Sequence, residues 1–244
     1  MTPKVLVIVP ARGGSKRLPG KNLRNLAGKS LLAHTADAII EAGLDAPVLL
    51  TTEADNIAAE GERLGWQVPF RRPVSLAADD SPTIDAVLHA LDWFANDAGG
   101  DPEQVLLLQP TSPLRGGQCL RAALDLLNAR ENADAVIGVM AVNIPPAHLY
   151  LVAHDGFAEP VADNKRQPVY IPNGAVYLAR TIALRASRSF YVPRFLPLVM
   201  DPVNSIDIDT ETEWVLAEAI FAARQTANSH TPARLRGASL DNHQ

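Results

Sequence analysis

A chain of 244 residues with 47% hydrophobic and 20% charged residues has the composition of an ordinary globular protein and can bury a full core. Its formal net charge of −5 argues against a surface built to bind nucleic acid, and its single cysteine, Cys119, excludes an internal disulfide and a cysteine-based zinc site. The apolar run Val5 to Val9 is too short to span a bilayer and lacks the features of a signal peptide. We therefore expect a cytoplasmic protein without a membrane partner.

Short apolar runs alternate with helical patterns over the first 142 residues. The runs KVLVIV, PVLLTT, QVLLLQP and ADAVIGVMAV are predicted strands, and helices are predicted over 30–42, 54–64, 83–95 and 117–129. Continuous apolar strands separated by amphipathic helices are typical of a mostly parallel sheet that helices cover on both faces. The sequence therefore predicts an α/β fold.

Residues that start and stop helices support these boundaries. Ser30 is a candidate N-cap of the first helix, and Gly43 is a candidate end for it. Thr210 and Glu213 have the spacing of a capping box in front of the run WVLAEAIFAAR. We therefore expect a last helix that begins near residue 211.

The regular alternation breaks after Val142. Prolines, polar residues and short β-like runs fill 143–194, which predicts a hairpin-rich insert that is a candidate for dimerisation. The α/β domain would then comprise 1–142 and 195–225. Periodicity is lost beyond Gln225, so we expect a poorly ordered tail over 226–244.

The loop PARGGSKRLPGKN follows the first predicted strand, and it is basic in an acidic chain. Its glycines allow backbone N–H groups to approach an anion, and ligands of open α/β sheets bind beyond the carboxyl ends of the strands. Asn22 stands where a Walker A motif has Ser or Thr, so the loop is a different kind of phosphate site. A nucleoside triphosphate would suit it, and a solvated basic turn is the alternative. The cationic side chains are Arg12, Lys16, Arg17 and Lys21, and Arg24 follows.

The stretch SIDID carries two acidic residues near the C-terminal end of the chain. On a strand, alternation would place Asp207 and Asp209 on one face and Ile206 and Ile208 on the other. Two adjacent carboxylates repel each other unless a cation lies between them, and oxygen ligands beside a phosphate favour Mg²⁺. The sequence therefore predicts a magnesium site, with a solvated edge strand as the alternative.

Five blocks carry a resemblance to a known family: PARGGSKRLPGKN, RPVSLAADDSPTIDAVLHA, LLQPTSPLR, NGAVY and SIDID, in this order from residue 10 to residue 209. With these blocks the sequence resembles the acylneuraminate cytidylyltransferases, or CMP-sialic acid synthetases, which join CTP to a nine-carbon 2-keto sugar acid. The resemblance implies a nucleotide-diphospho-sugar transferase-like fold. It further implies Mg²⁺-dependent nucleotidyl transfer and a homodimer whose insert contributes to the partner's sugar pocket.

The resemblance also implies roles for particular residues. The implied nucleotide-binding residues are Arg12, Gly13, Ser15, Lys16, Lys21, Asn22, Arg72, Ser81 and Thr83. The implied catalytic residues are Lys21, Arg12, Asp207 and Asp209, and the two aspartates are the implied metal ligands. The implied substrate-binding residues are Gln109, Thr111, Asn173, Tyr177, Phe190 and Tyr191.

Simpler structural roles remain open for several of these residues. Thr83 could equally cap a helix, and Gln109 and Thr111 could close a turn at a strand end. Phe190 and Tyr191 could pack in the core. The positions of these side chains in the fold decide between the two kinds of role.

The sequence also departs from the sialic-acid pattern. Ile171 stands two residues before Asn173, where enzymes of the family often carry arginine, and AHLY replaces an expected lysine. The sugar carboxylate is therefore expected to be bound differently, with Arg166 as a candidate, and the substrate could be legionaminic acid, pseudaminic acid or a deaminated relative. A 3-deoxy-manno-octulosonate cytidylyltransferase and a nucleotide-binding regulator without turnover are the alternatives.

Overall fold

The structure is a computed structural model that describes residues 2–142, 144, 148–152, 154, 157–160 and 168–229. Its strands are β1 (Val5–Pro10), β2 (Val48–Thr51), β3 (Gln104–Leu107), β4 (Ala135–Ala141), β5 (Tyr150–Val152), β6 (Ala158–Pro160), β7 (Tyr170–Arg180) and β8 (Phe195–Val199). Its helices are α1 (Leu31–Glu41), α2 (Asp55–Arg63), α3 (Thr83–Ala98), α4 (Gly117–Asn128), α5 (Thr181–Ser187) and α6 (Glu211–Ser229), with a 3₁₀ turn at Val74–Leu76. Among the described residues, none of these helices is both long and apolar enough to cross a membrane.

A six-stranded sheet with the order β2-β1-β3-β7-β4-β8 forms the centre of the molecule. Strand β1 is parallel to β2 and to β3, and β4 is parallel to β8, whereas β7 runs antiparallel between β3 and β4. This mixed, mostly parallel sheet confirms the predicted fold class. Strands β5 and β6 form a separate antiparallel pair.

Both faces of the sheet are buried at β1, β2, β3 and most of β4, which explains the unbroken apolar sequences of these strands. Val7 and Val9 of β1 face a core that includes Leu32 of α1 and Leu120 of α4. Leu6 and Ile8, which alternate with them, face a second core that includes residues of α3. Burial of apolar surface at roughly 25 cal/mol per Å² on both faces makes β1 a strongly held strand from whose end a loop can be positioned.

The predicted insert of 143–194 needs a correction because β7 lies in the middle of the main sheet. The runs PVYIP and GAVYLA, two of the short β-like runs of this segment, form this one strand, and Leu178 pairs with Leu106 of β3 and with Val136 of β4. The strand contains Pro172 and Gly174, two residues that are unfavourable inside a strand. The strand tolerates them because Gly174 adopts a φ of +76° and the register with β4 shifts between Ile137 and Val139.

The helix ends follow the local chemistry of the sequence. Ser30 Oγ accepts a hydrogen bond from Ala33 N at 3.1 Å, and Gly43 has a φ of +60° after the end of α1. The capping box is present, because Thr210 N donates to Glu213 Oε2 at 2.8 Å and Glu213 N donates to Thr210 Oγ1 at 3.5 Å. These predicted caps are confirmed.

Two boundaries differ from the sequence predictions. Thr83 is the first residue of α3 and Pro82 is its N-cap, so Thr83 does not cap the helix. Helix α6 continues to Ser229, which places residues 226–229 of the predicted tail in a helix. The rest of that predicted tail, 230–244, lies outside the described residues.

Candidate active site

The candidate site lies beyond the carboxyl ends of β1 and β3. Strands β2 and β3 lie on opposite sides of β1, so the loops that follow β1 and β3 diverge and leave a crevice between them. A cavity of about 310 Å³ occupies this position. Six of the predicted nucleotide-binding residues line it: Arg12, Lys21, Asn22, Arg72, Ser81 and Thr83. Four further predicted residues share its wall: Gln109, Thr111, Asp207 and Asp209.

The basic loop and the acidic stretch meet in this cavity through Asp209. Lys21 Nζ lies 2.8 Å from Asp209 Oδ1 and donates a second hydrogen bond to Ile208 O at 3.0 Å. Arg17 Nη2 lies 2.6 Å from Asp209 Oδ2. The side chain of Lys21 is only 13% exposed, so water screens its ion pair less than it screens a surface pair. The two regions thus form one site although they lie at opposite ends of the chain.

Residues 205–209 do not form the predicted strand. Ile208 N donates to Thr111 O at 2.7 Å, in the loop that follows β3, but no described strand pairs with this segment. Its backbone nevertheless alternates: Ile208 is buried against Leu18 and Trp214, whereas Asp207 and Asp209 line the cavity. The prediction of a strand is wrong, and the predicted placement of both carboxylates on one side is confirmed.

The surroundings of the two aspartates shift their pKa values in opposite directions. Burial raises the pKa of Asp207, and the charge of Asp209 adds to this effect while a hydrogen bond from Thr111 opposes it. Burial acts to raise the pKa of Asp209 as well, but the bonds and charges of Lys21 and Arg17 outweigh it and hold that pKa below its ordinary value. Asp209 is therefore fixed as an anion.

Asp207 has an oxygen available for a ligand. Its buried Oδ1 atom has no hydrogen-bond partner among the residues that the structure describes. Two carboxylates offer the oxygen ligands that Mg²⁺ prefers, and Mg²⁺ commonly takes its remaining ligands from phosphates and water. The described residues contain no group of three or more His, Cys, Asp or Glu side chains that could hold a metal. The donor set therefore fits a magnesium ion that a phosphate helps to bind, and it does not fit an all-protein metal cage.

Gly174 lets strand β7 approach this acidic pair closely. A Cβ atom at Gly174 would lie 3.1 Å from Asp207 Oδ2 and 3.2 Å from Gln109 Oε1. Its positive φ also disfavours any other residue. The glycine of the NGAVY block thus serves the packing of the site.

A neighbouring cavity beside the loop holds the remaining loop residues. It measures about 320 Å³, and Ser15 and Lys16 line it together with Arg12 and Lys21. Gly13 contributes differently, because its backbone N–H donates to Glu53 Oε1 at 2.6 Å. The predicted anion-binding N–H of Gly13 is therefore bonded to a carboxylate of the protein.

Two predicted nucleotide-binding side chains also brace the protein itself. Asn22 is buried, and its Nδ2 donates to Arg12 O at 3.0 Å, which fixes the course of the loop. Arg72 is buried on the cavity wall, where it donates to Thr51 O, and burial lowers its pKa. Its Nε has no partner in the described part of the chain. Arg72 thus offers a donor to a ligand, whereas the bond that Asn22 makes serves the loop.

A third cavity, of about 260 Å³, adjoins the first and has aromatic walls. Tyr177, Phe190 and Tyr191 line it, and Thr83 and Gln109 line both this cavity and the first one. The hydroxyl oxygens of Tyr177 and Tyr191 lie 3.4 Å apart. Burial raises the pKa of Tyr177, and the contact with Tyr191 raises it further. The structure therefore brings these predicted substrate residues together.

The predicted substrate residue Asn173 does not line these cavities. Asn173 is buried, its Nδ2 donates to Ser205 Oγ at 2.9 Å, and its Oδ1 accepts from Ala175 N at 3.1 Å. This geometry does not support a sugar contact, because both ends of the amide are used within the protein. Asn173 instead supports the turn that leads to Asp207. Arg166 lies outside the described residues.

Arg115 is a buried residue that the sequence analysis did not single out. Its Nη1 donates to Gln109 O at 2.6 Å and to Ala175 O at 3.1 Å, and its Nη2 donates to Thr35 Oγ1 at 2.9 Å. Burial lowers its pKa to about 9, although the charge of Asp207 acts in the other direction. Arg115 therefore ties the loop after β3 to β7 and to α1. The available signal was an arginine that follows the apolar Pro113 and Leu114 in QPTSPLR.

The chain is similar to proteins of known activity. A family profile described as cytidylyltransferase matches residues 6–155. CMP-N,N'-diacetyllegionaminic acid synthase from Legionella pneumophila is 34% identical over 233 residues, which cover 92% of this chain and 99% of that protein. N-acylneuraminate cytidylyltransferase from Escherichia coli is 31% identical over 90% of this chain, and the chain spans about half, 52%, of its length.

Solved structures share the fold at low sequence identity. A CMP:2-keto-3-deoxy-manno-octonic acid synthetase complexed with CTP superposes with a TM-score of 0.65 and 16% identity, covering 91% of this chain and 99% of that chain. At this identity the similarity shows a common fold and carries no information about the substrate.

Proposed function

Because the chain belongs to the cytidylyltransferase family, we propose that it transfers the cytidylyl group of CTP to a nine-carbon 2-keto sugar acid and releases pyrophosphate. The observation that carries the proposal is the contact of Lys21 and Arg17 with Asp209 inside a cavity that Asp207 also lines. Cations that can neutralise phosphates and carboxylates that can hold a metal are thereby combined in one site. The similarity to a CMP-N,N'-diacetyllegionaminic acid synthase supports the nine-carbon class of substrate.

The reaction is a direct displacement at phosphorus. The anomeric 2-hydroxyl of the sugar acid attacks the α-phosphorus of CTP, and a new oxygen–phosphorus bond forms. The bond from the α-phosphorus to the bridging oxygen of the β-phosphate breaks, that oxygen leaves with pyrophosphate, and the hydroxyl proton is released. Lys21 and Arg12 would neutralise the charge that accumulates on the pyrophosphate. Stabilisation of this charge by fixed cations is expected to be a large part of the rate enhancement.

Asp207 and Asp209 would hold Mg²⁺. The free Oδ1 of Asp207 supports this role, and the bonds from Lys21 and Arg17 orient the carboxylate of Asp209. When bound, the ion would draw charge from the phosphates and acidify the attacking hydroxyl. Positioning of the two substrates by the protein would supply much of the remaining rate gain.

The remaining cavity walls suit the two organic parts of the substrates. Arg72, Ser81 and Thr83 would surround the cytosine and ribose, and Gln109 and Thr111 would contact the sugar acid. Gln109 and Thr111 offer the amide and hydroxyl groups that read a polyhydroxylated molecule. The aromatic cavity beside Gln109 would take an apolar substituent of the sugar.

A homodimer is part of the proposal. The β5–β6 hairpin exposes apolar side chains, since Leu151 is 61% exposed and Val152 is 77% exposed. Apolar side chains of this size, adjacent on one hairpin, are typical of an interface. Light scattering should give the mass of a dimer for the protein and that of a monomer for the double variant L151E/V152E. A monomeric wild type would contradict this part of the proposal.

The central experiment measures pyrophosphate release. We expect release that requires Mg²⁺, that occurs with CTP and not with UTP, and that a nine-carbon 2-keto acid triggers. A panel of eight- and nine-carbon acids distinguishes the alternatives. Release with an eight-carbon acid alone would indicate a 3-deoxy-manno-octulosonate cytidylyltransferase, and CTP binding without release by any acid would indicate a regulator.

A further inference from the structure

Asp79 lies against two of the loop cations. Its Oδ1 is 2.9 Å from Arg12 Nη1, and its Oδ2 is 2.5 Å from Lys16 Nζ. Arg12 Nη1 also donates to Ala78 O at 3.1 Å, so the segment before α3 is tied to the loop after β1 at two adjacent residues. Asp79 lines both cavities that Arg12 and Lys21 line. One carboxylate thus uses both of its oxygens on two cations of the phosphate site.

We propose that Asp79 is an internal counter-anion that occupies a phosphate position between Arg12 and Lys16. The phosphates of the nucleotide displace it when they bind, and it takes up the two cations again as pyrophosphate leaves. Asp79 would thereby weaken the binding of nucleotide and of pyrophosphate alike, and favour product release. The inference rests on the proposed function, because it assigns phosphates to the loop.

The exposure of the partners makes this exchange feasible. The side chains of Lys16 and Asp79 are 82% and 40% exposed, so water screens the pair and its contribution to stability is small. A phosphate group brings more charge and more acceptor oxygens than a carboxylate and can replace it on both cations. Lys21, by contrast, is held at 13% exposure by Asp209 and is not expected to change partner.

The charge of Asp79 is consistent with this role. The hydrogen bond from Lys16 lowers the pKa of Asp79, and the charges of Lys16 and Arg12 lower it further. Burial acts to raise this pKa, but the net result lies below the ordinary value. Asp79 is therefore ionised in the neutral pH range, as the phosphates are. Competition between Asp79 and phosphate is thus expected throughout the neutral pH range.

The test is the binding of inorganic pyrophosphate to the full chain, measured by calorimetry in the presence of EDTA. We expect D79N to bind pyrophosphate about threefold to tenfold more tightly than the wild type, because removing a weak, exposed competitor has an effect of this order. D79E keeps the charge and should bind as the wild type does. D80N is the matched control, since Asp80 is the exposed neighbour and does not line these cavities.

Weaker binding by D79N would overturn the inference, because it would mean that Asp79 positions Arg12 and Lys16 for phosphate. Unchanged binding would overturn it as well, because Asp79 would then be a solvated side chain. D79S removes the same charge with a smaller side chain, and it replaces D79N if thermal unfolding shows that D79N is not folded. Tighter binding by either uncharged variant, with D80N unchanged, supports the inference.

The same variants separate this inference from the proposed function. If the wild type releases pyrophosphate from CTP and D79N binds pyrophosphate no more tightly, the counter-anion fails while the proposed function stands. If no sugar acid triggers release but D79N binds pyrophosphate more tightly, the phosphate site and its counter-anion stand while the proposed reaction fails. Under both proposals, D79N should also show a lower KM for CTP.

Discussion

Lys21 is the side chain through which the two ends of the chain act together. Its ammonium bonds to a carboxylate and a carbonyl of the acidic stretch, and it is largely enclosed. Without it, the cationic partner of Asp209 among the described residues would be Arg17, whose side chain is 68% exposed. This largely enclosed cation therefore orients a proposed metal ligand and, under the proposed function, would also face the phosphates. These two contributions should be lost together.

Replacing Lys21 by methionine should reduce kcat by about 100-fold to 1,000-fold, as expected when one fixed donor to the transition state is removed. The measurement is CTP-dependent pyrophosphate release with a nine-carbon acid at saturating substrates. K21R keeps the charge and should lose less. K29M is the matched control, because Lys29 forms an exposed ion pair with Asp37 outside the site. If K21M retains more than about a tenth of the activity, Lys21 is not the principal cation.

Helix α6 acts on the site through its first turn. Glu213 Oε2 accepts hydrogen bonds from Asp209 N at 2.7 Å and from Thr210 N at 2.8 Å. The reverse bond, from Glu213 N to Thr210 Oγ1, is longer at 3.5 Å. Glu213 therefore contributes more to this cap than Thr210 does. The cap fixes the backbone of a proposed catalytic residue as well as the start of a helix.

We expect E213A to lower the free energy of unfolding by about 1–2 kcal/mol, because two backbone N–H groups lose their acceptor. We also expect kcat to fall between about tenfold and 100-fold, because Asp209 loses its fixed position. Urea unfolding and the pyrophosphate assay measure the two effects. S30A removes the cap of α1, and Ser30 lines none of the three cavities of the site, so this variant should lower stability by a similar amount while kcat is kept. Equal activity losses in both variants would contradict a specific role for Glu213.

These elements also show what the sequence could predict. Strands β1 to β4 were predictable because burial on both faces makes them continuously apolar, and the caps were predictable because their partners lie three residues apart. Strand β7 was not, since Pro172 and Gly174 interrupt its pattern and its place in the sheet depends on pairing with β3 and β4, which are distant in sequence. Neighbours distant in sequence decided that assignment.

The same distinction holds for the candidate site. The loop cations and both aspartates were identifiable by residue type, and their contact follows from the order of the strands. The bonds of Arg115 were not predictable, because its partners Gln109, Ala175 and Thr35 belong to three separate segments. The residue types that carry the chemistry could therefore be identified from the sequence. The contacts between distant segments that position them could not.

At the scale of the whole molecule, His34 connects three parts of the fold. It lies on α1 at 8% exposure, its Nε2 is 2.8 Å from Leu26 O, and its ring stacks on Phe221 of α6 at 4.6 Å. Burial lowers the pKa of His34, and the charge of Lys29 acts in the same direction. The hydrogen bond to Leu26 and the charge of Asp37 act to raise this pKa, but they do not outweigh burial. The neutral ring, with its Nε2–H donated to Leu26, is therefore the form that the folded protein favours.

The stability of the molecule should consequently fall as the pH is lowered below about 6.5, the ordinary pKa of histidine. In that range the unfolded chain binds a proton at His34 that the folded protein does not, so each pH unit down to the folded pKa costs up to about 1.4 kcal/mol. Urea unfolding between about pH 7.5 and pH 5 measures this slope. H34Q keeps a donor for Leu26 and cannot titrate, so it should be less stable at neutral pH but should show a smaller slope. An H34Q slope equal to that of the wild type would assign the pH dependence to other groups.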